Sequence, residues 1–289
     1  MSDAGARTRA RLQLLLAAAL FSTGGAAIKA ATLTGAQIAG FRSGIAALAV
    51  VLLARAARQR PSARAAAVGV AYAGTVVLFA LANRLTTAAN TIFLQSTAPV
   101  YVLLASPWLL RERIGRRDLA FVAAAACGLL LFVVGTEPPR TSAPDPATGN
   151  LLAIASGITW AGTLVGLRRM ATPAGGPHRG NDPIHAVVAG NLLAFALCLP
   201  WALPCTPSAA DLAVLAYLGV AQIAVPYLLV SSAVRQLGAL ETSLILLVEP
   251  VLNPLWALLL HDERPGPYAI AGGVILLGAT VVKTVADRR

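Results

Sequence analysis

The sequence predicts an all-α integral membrane protein with ten transmembrane helices in two inverted five-helix repeats. Three observations predict this class. Of the 289 residues, 57% are hydrophobic and 12% are charged, whereas a soluble domain carries about 25% charged residues. Apolar runs long enough to cross a bilayer, which takes about 20 residues, recur along the whole chain. Related sequence patterns also occur in the two halves.

The apolar runs define ten predicted spans joined by polar connectors. The first run follows Arg7, Arg9 and Arg11, an order that secretory signals share. Because apolar runs continue to the end of the chain, we expect this run to be retained as the first span. An Ala-rich soluble helical protein is disfavoured, since most runs lack a polar face. The predicted spans are 12–31, 36–54, 65–82, 88–110, 117–135, 149–167, 184–204, 210–233, 240–261 and 267–284.

The longest connector, at 136–148, is rich in proline and forms the natural divider between the halves. We therefore predict a first five-span repeat at 1–135, an external linker at 136–148 and a second five-span repeat at 149–289. The connector at 170–183 is also long and is expected to be a surface loop.

Basic residues are unevenly distributed between the two sides that ten spans create. Eighteen of the 23 Lys and Arg residues fall on the side of the termini, and only Arg84, Arg140 and Arg264 fall on the other. Because positive residues concentrate in cytoplasmic connectors, we predict that both termini are cytoplasmic, in the plasma membrane of a bacterium. The net charge of +11 then reflects membrane topology, and no nucleic-acid partner is expected.

A shift of 151 residues aligns 98–115 with 249–266 without a gap. Shared apolar composition explains the Leu and Ala matches but is a poor explanation for the charged and proline matches. Glu112 and Glu263 close the motif at opposite membrane edges, where the neighbouring arginines can pair with them and hold the bundle ends. The matched pairs include Pro99 with Pro250, Glu112 with Glu263, Arg113 with Arg264 and Gly115 with Gly266.

A shift of 139 residues aligns the first span of each half and places Lys29 on Arg168. Because five spans is an odd number, two such repeats in one chain must cross the membrane in opposite senses. This inverted design is shared by many secondary transporters. We therefore expect each half to close one side of a central site while the other side opens.

Ten spans in two copies, each with a span of the Pro99-x12-Glu112 type followed by Arg and Gly, resemble the EamA-type transporters of the drug/metabolite transporter superfamily. The resemblance covers about 12–284. It implies a ten-helix bundle with a central cavity. It also implies export or exchange of small metabolites such as amino acids, without ATP.

Three ionisable residues are predicted at membrane depth, where charge is costly and usually functional. Lys29 and Arg42 are expected to approach the same region and to bind an anionic group. Glu249 is the only carboxylate predicted deep in a span, and a buried carboxyl group that favours its neutral form can carry a proton. The structural alternatives are that Lys29 reaches the interface, that Arg42 pairs with backbone carbonyls, and that Glu249 pairs with one of these cations.

Polar residues in other spans are predicted to line the cavity. Pro99 and Pro250 are expected to kink their spans, because proline frees a backbone carbonyl, and such carbonyls can line a polar cavity. The alternative for each polar residue is a helix-to-helix contact. The remaining lining candidates are Asn90, Gln95, Tyr101, Trp160, Asn191, Gln222, Tyr227 and Asn253.

No motif for ATP binding, metalloprotease or serine-hydrolase chemistry occurs in the sequence, and the histidines lack metal-ligand spacing. We therefore expect a secondary transporter, with no enzymatic activity, cofactor or metal. Its expected partners are a small polar metabolite, a proton and the bilayer, and a homodimer is left open. Export is the preferred direction. The alternatives are uptake of a small solute and a membrane enzyme acting on a lipid-linked substrate.

Overall fold

The computed structural model describes residues 3–109, 115–171, 183–233, 237 and 245–286. These residues form an all-α bundle. The predicted connector at 170–183, the pair Glu112 and Arg113, and the first five residues of the predicted span 240–261 lie largely or wholly outside them. The helices are α1 (Asp3–Ser22), α2 (Gly24–Ala30), α3 (Gly35–Leu53), α4 (Ala63–Leu85), α5 (Ala88–Gln95), α6 (Ala98–Leu109), α7 (Arg116–Val134), α8 (Pro146–Ala171), α9 (Pro183–Ala202), α10 (Ala209–Tyr217), α11 (Val225–Ala233), α12 (Val248–His261) and α13 (Pro267–Ala286).

Side chains cap several helices at the positions where the apolar runs begin. The Thr34 hydroxyl accepts a hydrogen bond from the backbone nitrogen of Gln37, and the side-chain oxygen of Gln37 accepts one from the backbone nitrogen of Thr34. Helix α3 therefore begins with a full capping box. Ser208 and Asp211 form the same box at the start of α10. These caps satisfy backbone N–H groups that the first helical turn leaves free.

Four of the predicted spans contain an interruption. Thr23 separates α1 from α2, and Ser96 and Thr97 separate α5 from α6. A π-helical segment, Leu218–Ala224, joins α10 to α11. Leu247 precedes α12 as its N-cap. The interruptions before α6 and α12 occupy equivalent positions in the 151-residue alignment, which extends the repeat from sequence to backbone structure.

Within the described residues, eight helical stretches are long and apolar enough to cross a bilayer, and they correspond to the first eight predicted spans. The apolar helix Pro267–Lys283 is shorter, and α12 has 14 described residues. The all-α membrane class is therefore confirmed, while the count of ten spans stays a prediction.

Helix packing follows the repeat. In the alignment of the two halves, α4 corresponds to the π segment with α11, and α8 corresponds to α1 with α2. Accordingly, α4 packs on α8 and α1 packs on α11. In the same way, α6 packs on α8 while its counterpart α12 packs on α1. The equivalent helices α3 and α9 pack on each other, as do α7 and α13.

Glycines permit the closest of these contacts. A Cβ on Gly69 would lie 2.9 Å from the backbone nitrogen of Gly190, and a Cβ on Gly272 would lie 2.8 Å from the carbonyl oxygen of Gly128. The first pair joins α4 to α9 and the second joins α7 to α13. Small residues let membrane helices approach closely, which is how such bundles gain packing energy.

Candidate functional site

Arg42 lies in the interior of the bundle and is 1% exposed. Its Nη2 donates a hydrogen bond to the carbonyl oxygen of Val76 on α4, at 2.7 Å. Its Nε has no hydrogen-bond partner among the described residues, and none of their carboxylates pairs with it. The structural alternative, pairing with a backbone carbonyl, therefore applies to Nη2 of Arg42. The Nε donor of Arg42 has no partner among the described residues.

Two tyrosines lie beside Arg42 and connect it to α9 and α11. The side chains of Tyr72 and Tyr227 both lie in the neighbourhood of the guanidinium. Their rings meet edge to face with centroids 5.2 Å apart. The side-chain nitrogen of Asn191 donates to the Tyr72 hydroxyl at 3.0 Å, and the Asn191 oxygen is buried without a donor.

Glu249 lies on α12 and completes this group. Its side chain is partly buried and lies in the neighbourhood of Tyr227, with no hydrogen bond between them in the described structure. It makes no ion pair with Lys29 or Arg42 in the described structure, so the predicted pairing alternative is wrong for this conformation. We call Arg42, Tyr72, Asn191, Tyr227 and Glu249 the central polar cluster; it draws residues from both repeats.

A second group of amides meets the interruption between α1 and α2. The oxygens of Asn83 and Asn253 lie 3.1 and 2.8 Å from the point where a Cβ on Gly25 would sit. The side-chain nitrogen of Gln222 donates to the carbonyl oxygen of Phe21 at 3.3 Å. The oxygens of all three amides are buried without a donor, so this region offers acceptors for a ligand with N–H or O–H groups.

Lys29 is not close to the partners of Arg42, contrary to the expected shared region. Its Nζ lies 2.9 Å from Oε2 of Glu263, and the two side chains are 6% and 1% exposed. It also donates to the carbonyl oxygens of Thr86 at 3.0 Å and Ser142 at 2.6 Å. The end of the bundle that carries the 136–148 linker is called the linker end here, and this ion pair joins the two repeats at that end.

Glu263 holds the bundle end, but through a partner that the sequence did not indicate. We expected the neighbouring Arg264 to pair with it. Arg264 instead lies 3.4 Å from Asp262, whereas Glu263 binds Lys29 of the other repeat and accepts a hydrogen bond from the backbone nitrogen of Ala88 at 2.6 Å. The pair therefore joins α2, the start of α5 and the end of α12.

Further polar contacts reinforce the closed linker end. Asp211 accepts hydrogen bonds from the backbone and hydroxyl of Thr32, each at 2.8 Å. His261 is hydrogen-bonded through Nε2 to the carbonyl oxygen of Ala26 at 2.8 Å. Each contact joins the first repeat to the second, so closure at this end depends on both halves.

Several lining candidates instead join neighbouring helices. The Asn90 amide donates to Asn150 at 3.1 Å, and the Gln95 amide donates to Ser156 at 2.7 Å. Both bonds connect α5 with α8. Tyr101 and Trp160 are partly buried and make no hydrogen bond within the described residues. Asn90 and Gln95 therefore match the helix-contact alternative, whereas a lining role for Tyr101 and Trp160 stays a prediction.

The two repeat prolines lie near helix starts. Pro99 is the second residue of α6 and Pro250 the third of α12. Each predicted span is interrupted just before its proline, so the proline begins a new helical segment near the middle of the span instead of lying inside one continuous helix. Proline is well tolerated in a first turn, where its missing N–H leaves no bond unmade.

Sequence reasoning missed Tyr72, Asn83 and the pairing of Lys29 with Glu263. Tyr72 is fully buried in an Ala-rich span. The signal that could have identified it is the presence of a tyrosine hydroxyl within a predicted span. Among the described residues, no group of three or more His, Cys, Asp and Glu side chains could hold a metal ion.

The comparisons with known proteins agree with this architecture. The model of the EamA-like transporter family matches residues 8–134 and 147–284, so it occurs twice and covers most of the chain. A solved crystal structure aligns with a TM-score of 0.63 over 98% of this chain and 98% of its own, at 19% sequence identity, and this likeness shows the fold alone. No curated protein sequence matches the chain.

Proposed function

The chain belongs to the EamA-like transporter family, whose members are membrane transporters of small solutes, and we propose that it exports a small polar metabolite by alternating access. The solute is a compound of the amino-acid type, with an anionic group and N–H donors. The transporter works in the plasma membrane of a bacterium, with both termini cytoplasmic, and uses no ATP.

The central polar cluster carries this proposal. A guanidinium that is 1% exposed and lacks a carboxylate partner in the described structure is costly in a membrane interior. An anionic ligand would offset that cost, since a hydrogen bond to a charged group contributes roughly 1.5–3 kcal/mol. The free Nε of Arg42 supplies the donor for such a ligand.

The remaining free groups suit the other end of the same solute. Among the described residues, Glu249 and the buried oxygens of Asn191, Gln222 and Asn253 have no hydrogen-bond donor as partner. An ammonium group, with three N–H donors, would satisfy several of them at once. The cluster therefore favours a solute that carries both an anion and a donor over a purely apolar one.

The ion pair at the linker end supplies the alternating-access part of the proposal. Lys29 and Glu263 come from different repeats and are buried together. Movement of one repeat against the other would separate them and open this end. We assign the linker end to the outside, because few basic residues lie there, so the described conformation is closed to the outside.

Glu249 is proposed to carry the proton that drives export. It lies beside Tyr227 and has no cationic partner in the described structure. A carboxyl group in a low-dielectric site takes up a proton more readily than one in water. Proton uptake there would compete with binding of a cationic group, which is the property that an exchanger needs.

Purified protein in liposomes tests the proposal. The lumen is loaded with an isotope-labelled mixture of the proteinogenic amino acids, and release is followed by mass spectrometry with and without a pH gradient. We expect release of at least one component beyond that of protein-free liposomes, with no new product. Appearance of a chemically changed product would favour the enzyme alternative. Transport only toward the face of the protein that corresponds to the cytoplasm would favour uptake.

A further inference from the structure

A cleft of about 450 Å³ opens at the seam between the two repeats, away from the central polar cluster. One wall comes from the first repeat, with residues of α1 to α2. The other wall comes from α10 and α12 of the second repeat. The lining residues are Thr23, Ala26, Ala27, Ala30, Tyr217, Trp256, Leu260 and His261; we call this the seam cleft.

The position of the seam cleft sets which molecules can reach it. Its first wall belongs to the candidate span Gly5–Ala30, and Tyr217 belongs to the candidate span Ala209–Ala233. Leu260 is 67% exposed and Tyr217 is 38% exposed, so the mouth faces outward from the bundle. For a chain that belongs to a membrane transporter family, we expect apolar residues that are exposed on candidate spans to face the hydrocarbon of the bilayer.

The polar groups of the cleft are already satisfied. The Thr23 hydroxyl donates to or accepts from the Tyr217 hydroxyl at 2.8 Å. The indole nitrogen of Trp256 donates to Ser22 at 2.9 Å, and His261 bonds the Ala26 carbonyl oxygen. A polar ligand would therefore have to break existing hydrogen bonds, whereas the central polar cluster offers it free ones.

The apolar side chains of the cleft, in contrast to its polar groups, lack contacts that a ligand could supply. Ala27, Ala30 and Leu260 line the cleft with methyl groups that border its empty volume. An unfilled space forfeits dispersion contacts along its lining. A flexible hydrocarbon chain can supply these contacts without bringing a polar group into the site.

From the location, the satisfied polar groups and the apolar lining, we propose that the seam cleft binds an acyl chain of a membrane lipid. The chain lies between the repeats beside α2, which carries Lys29, and beside the end of α12, which leads to Glu263. The site is distinct from the central polar cluster and does not depend on the identity of the transported solute.

Fluorescence of Trp256 reports occupancy directly, because this residue lines the cleft. Trp108, Trp160 and Trp201 are replaced by Phe so that Trp256 is the remaining indole. The protein is reconstituted in phosphatidylcholine whose acyl chains carry bromine atoms at mid-chain, which quench an indole on contact. We expect quenching that rises with the fraction of brominated lipid, and little quenching by water-soluble acrylamide.

Filling the cleft provides the decisive comparison. Ala27→Phe in the same background should lower the lipid-dependent quenching about twofold or more, since quenching requires van der Waals contact with the chain. Ala126→Phe on α7, an exposed site on another helix, should leave it unchanged. Ala30→Leu, a milder change at an exposed position of α2, provides a second filling variant if Ala27→Phe folds poorly.

Three results would overturn the assignment. Equal quenching in both filling variants and in the Ala126→Phe control would place the lipid outside the cleft. Strong quenching by acrylamide in place of brominated lipid would mean that the cleft holds water. Protection of Trp256 by a second copy of the chain, seen as quenching that disappears at high protein-to-lipid ratio, would make the cleft a dimer contact.

Discussion

The Nζ atom of Lys29 lies 2.9 Å from Oε2 of Glu263, across 234 positions of sequence and across the boundary between the two repeats. Both side chains are buried. Lys29 keeps two carbonyl partners and Glu263 keeps one backbone N–H, so further hydrogen bonds hold both members of the pair. The same two positions in the other repeat carry Arg168 and Glu112 in the sequence alignment, so the sequence repeats the pair of charges.

Removal of either charge should destabilise the closed conformation more than removal of both. Breaking a buried pair leaves an uncompensated charge and costs about 3–5 kcal/mol, whereas replacing both partners by apolar residues is often near neutral. We expect Lys29→Met and Glu263→Met each to lower the free energy of unfolding by that order. The double variant should lose clearly less than the sum, as measured by denaturant unfolding in detergent.

Additive losses in this double-mutant cycle would contradict the pair. The conservative change Glu263→Gln provides a check on packing, because it retains the volume of the side chain while removing its charge. It should behave like Glu263→Met if the charge is what matters.

Arg42→Gln should weaken binding of the transported solute about ten- to hundredfold. The reason is the loss of a charge-assisted hydrogen bond worth roughly 1.5–3 kcal/mol, with each 1.4 kcal/mol equal to a factor of about ten. Binding is measured as the solute-induced rise in unfolding temperature. Arg60→Gln is the matched control, because Arg60 is an exposed connector residue.

Arg84 is a poorer control for that experiment than the sequence suggests. It is partly buried and donates to the carbonyl oxygen of Ala31 at 3.1 Å, so its removal would disturb the linker end. Unchanged affinity in Arg42→Gln would assign Arg42 to a packing role, with its bond to Val76 as the reason for its burial.

Glu249→Gln should abolish flux driven by a pH gradient while leaving exchange of solute at equal concentrations largely intact. Exchange requires only that the loaded transporter rocks between its two states, whereas gradient-driven flux requires a titrating group. Both rates are measured in the same proteoliposomes. Full gradient-driven flux in this variant would exclude Glu249 as the proton carrier.

The assignment of sides is tested by thiol labelling in a variant whose own cysteines have been replaced. Arg140→Cys and Ala209→Cys should react with a membrane-impermeant reagent added outside whole cells. Gln59→Cys and Gly175→Cys should react only after the membrane is opened. The reverse pattern would exchange inside and outside for every residue of the proposal.

The general architecture could be predicted because its signals can be read directly from the sequence. Apolar runs predict spans, and the charged and proline matches at a 151-residue shift predict the repeat. The helix interruption at Thr23 and the π-helical segment at Leu218–Ala224 could not be predicted, because apolar length does not show where a ladder of backbone hydrogen bonds changes register.

The site was harder to predict because it depends on which faces meet. The sequence identifies Arg42, Asn191, Tyr227 and Glu249 as polar residues at membrane depth, and their shared role stays a prediction. Asn90 and Gln95 carry the same signal but face α8, and a single sequence does not fix helix rotation. The partner of Lys29 was missed because Glu263 lies in the opposite repeat, where no spacing rule applies.

Accessibility of position 253 tests alternating access most directly. Asn253 is fully buried beside the interruption between α1 and α2, in a conformation whose linker end is closed. In proteoliposomes of one orientation, Asn253→Cys should react with an impermeant thiol reagent applied from either face, and bound solute should slow both reactions. Reaction from one face only, whatever the solute concentration, would contradict a site that opens alternately and would favour a fixed pocket.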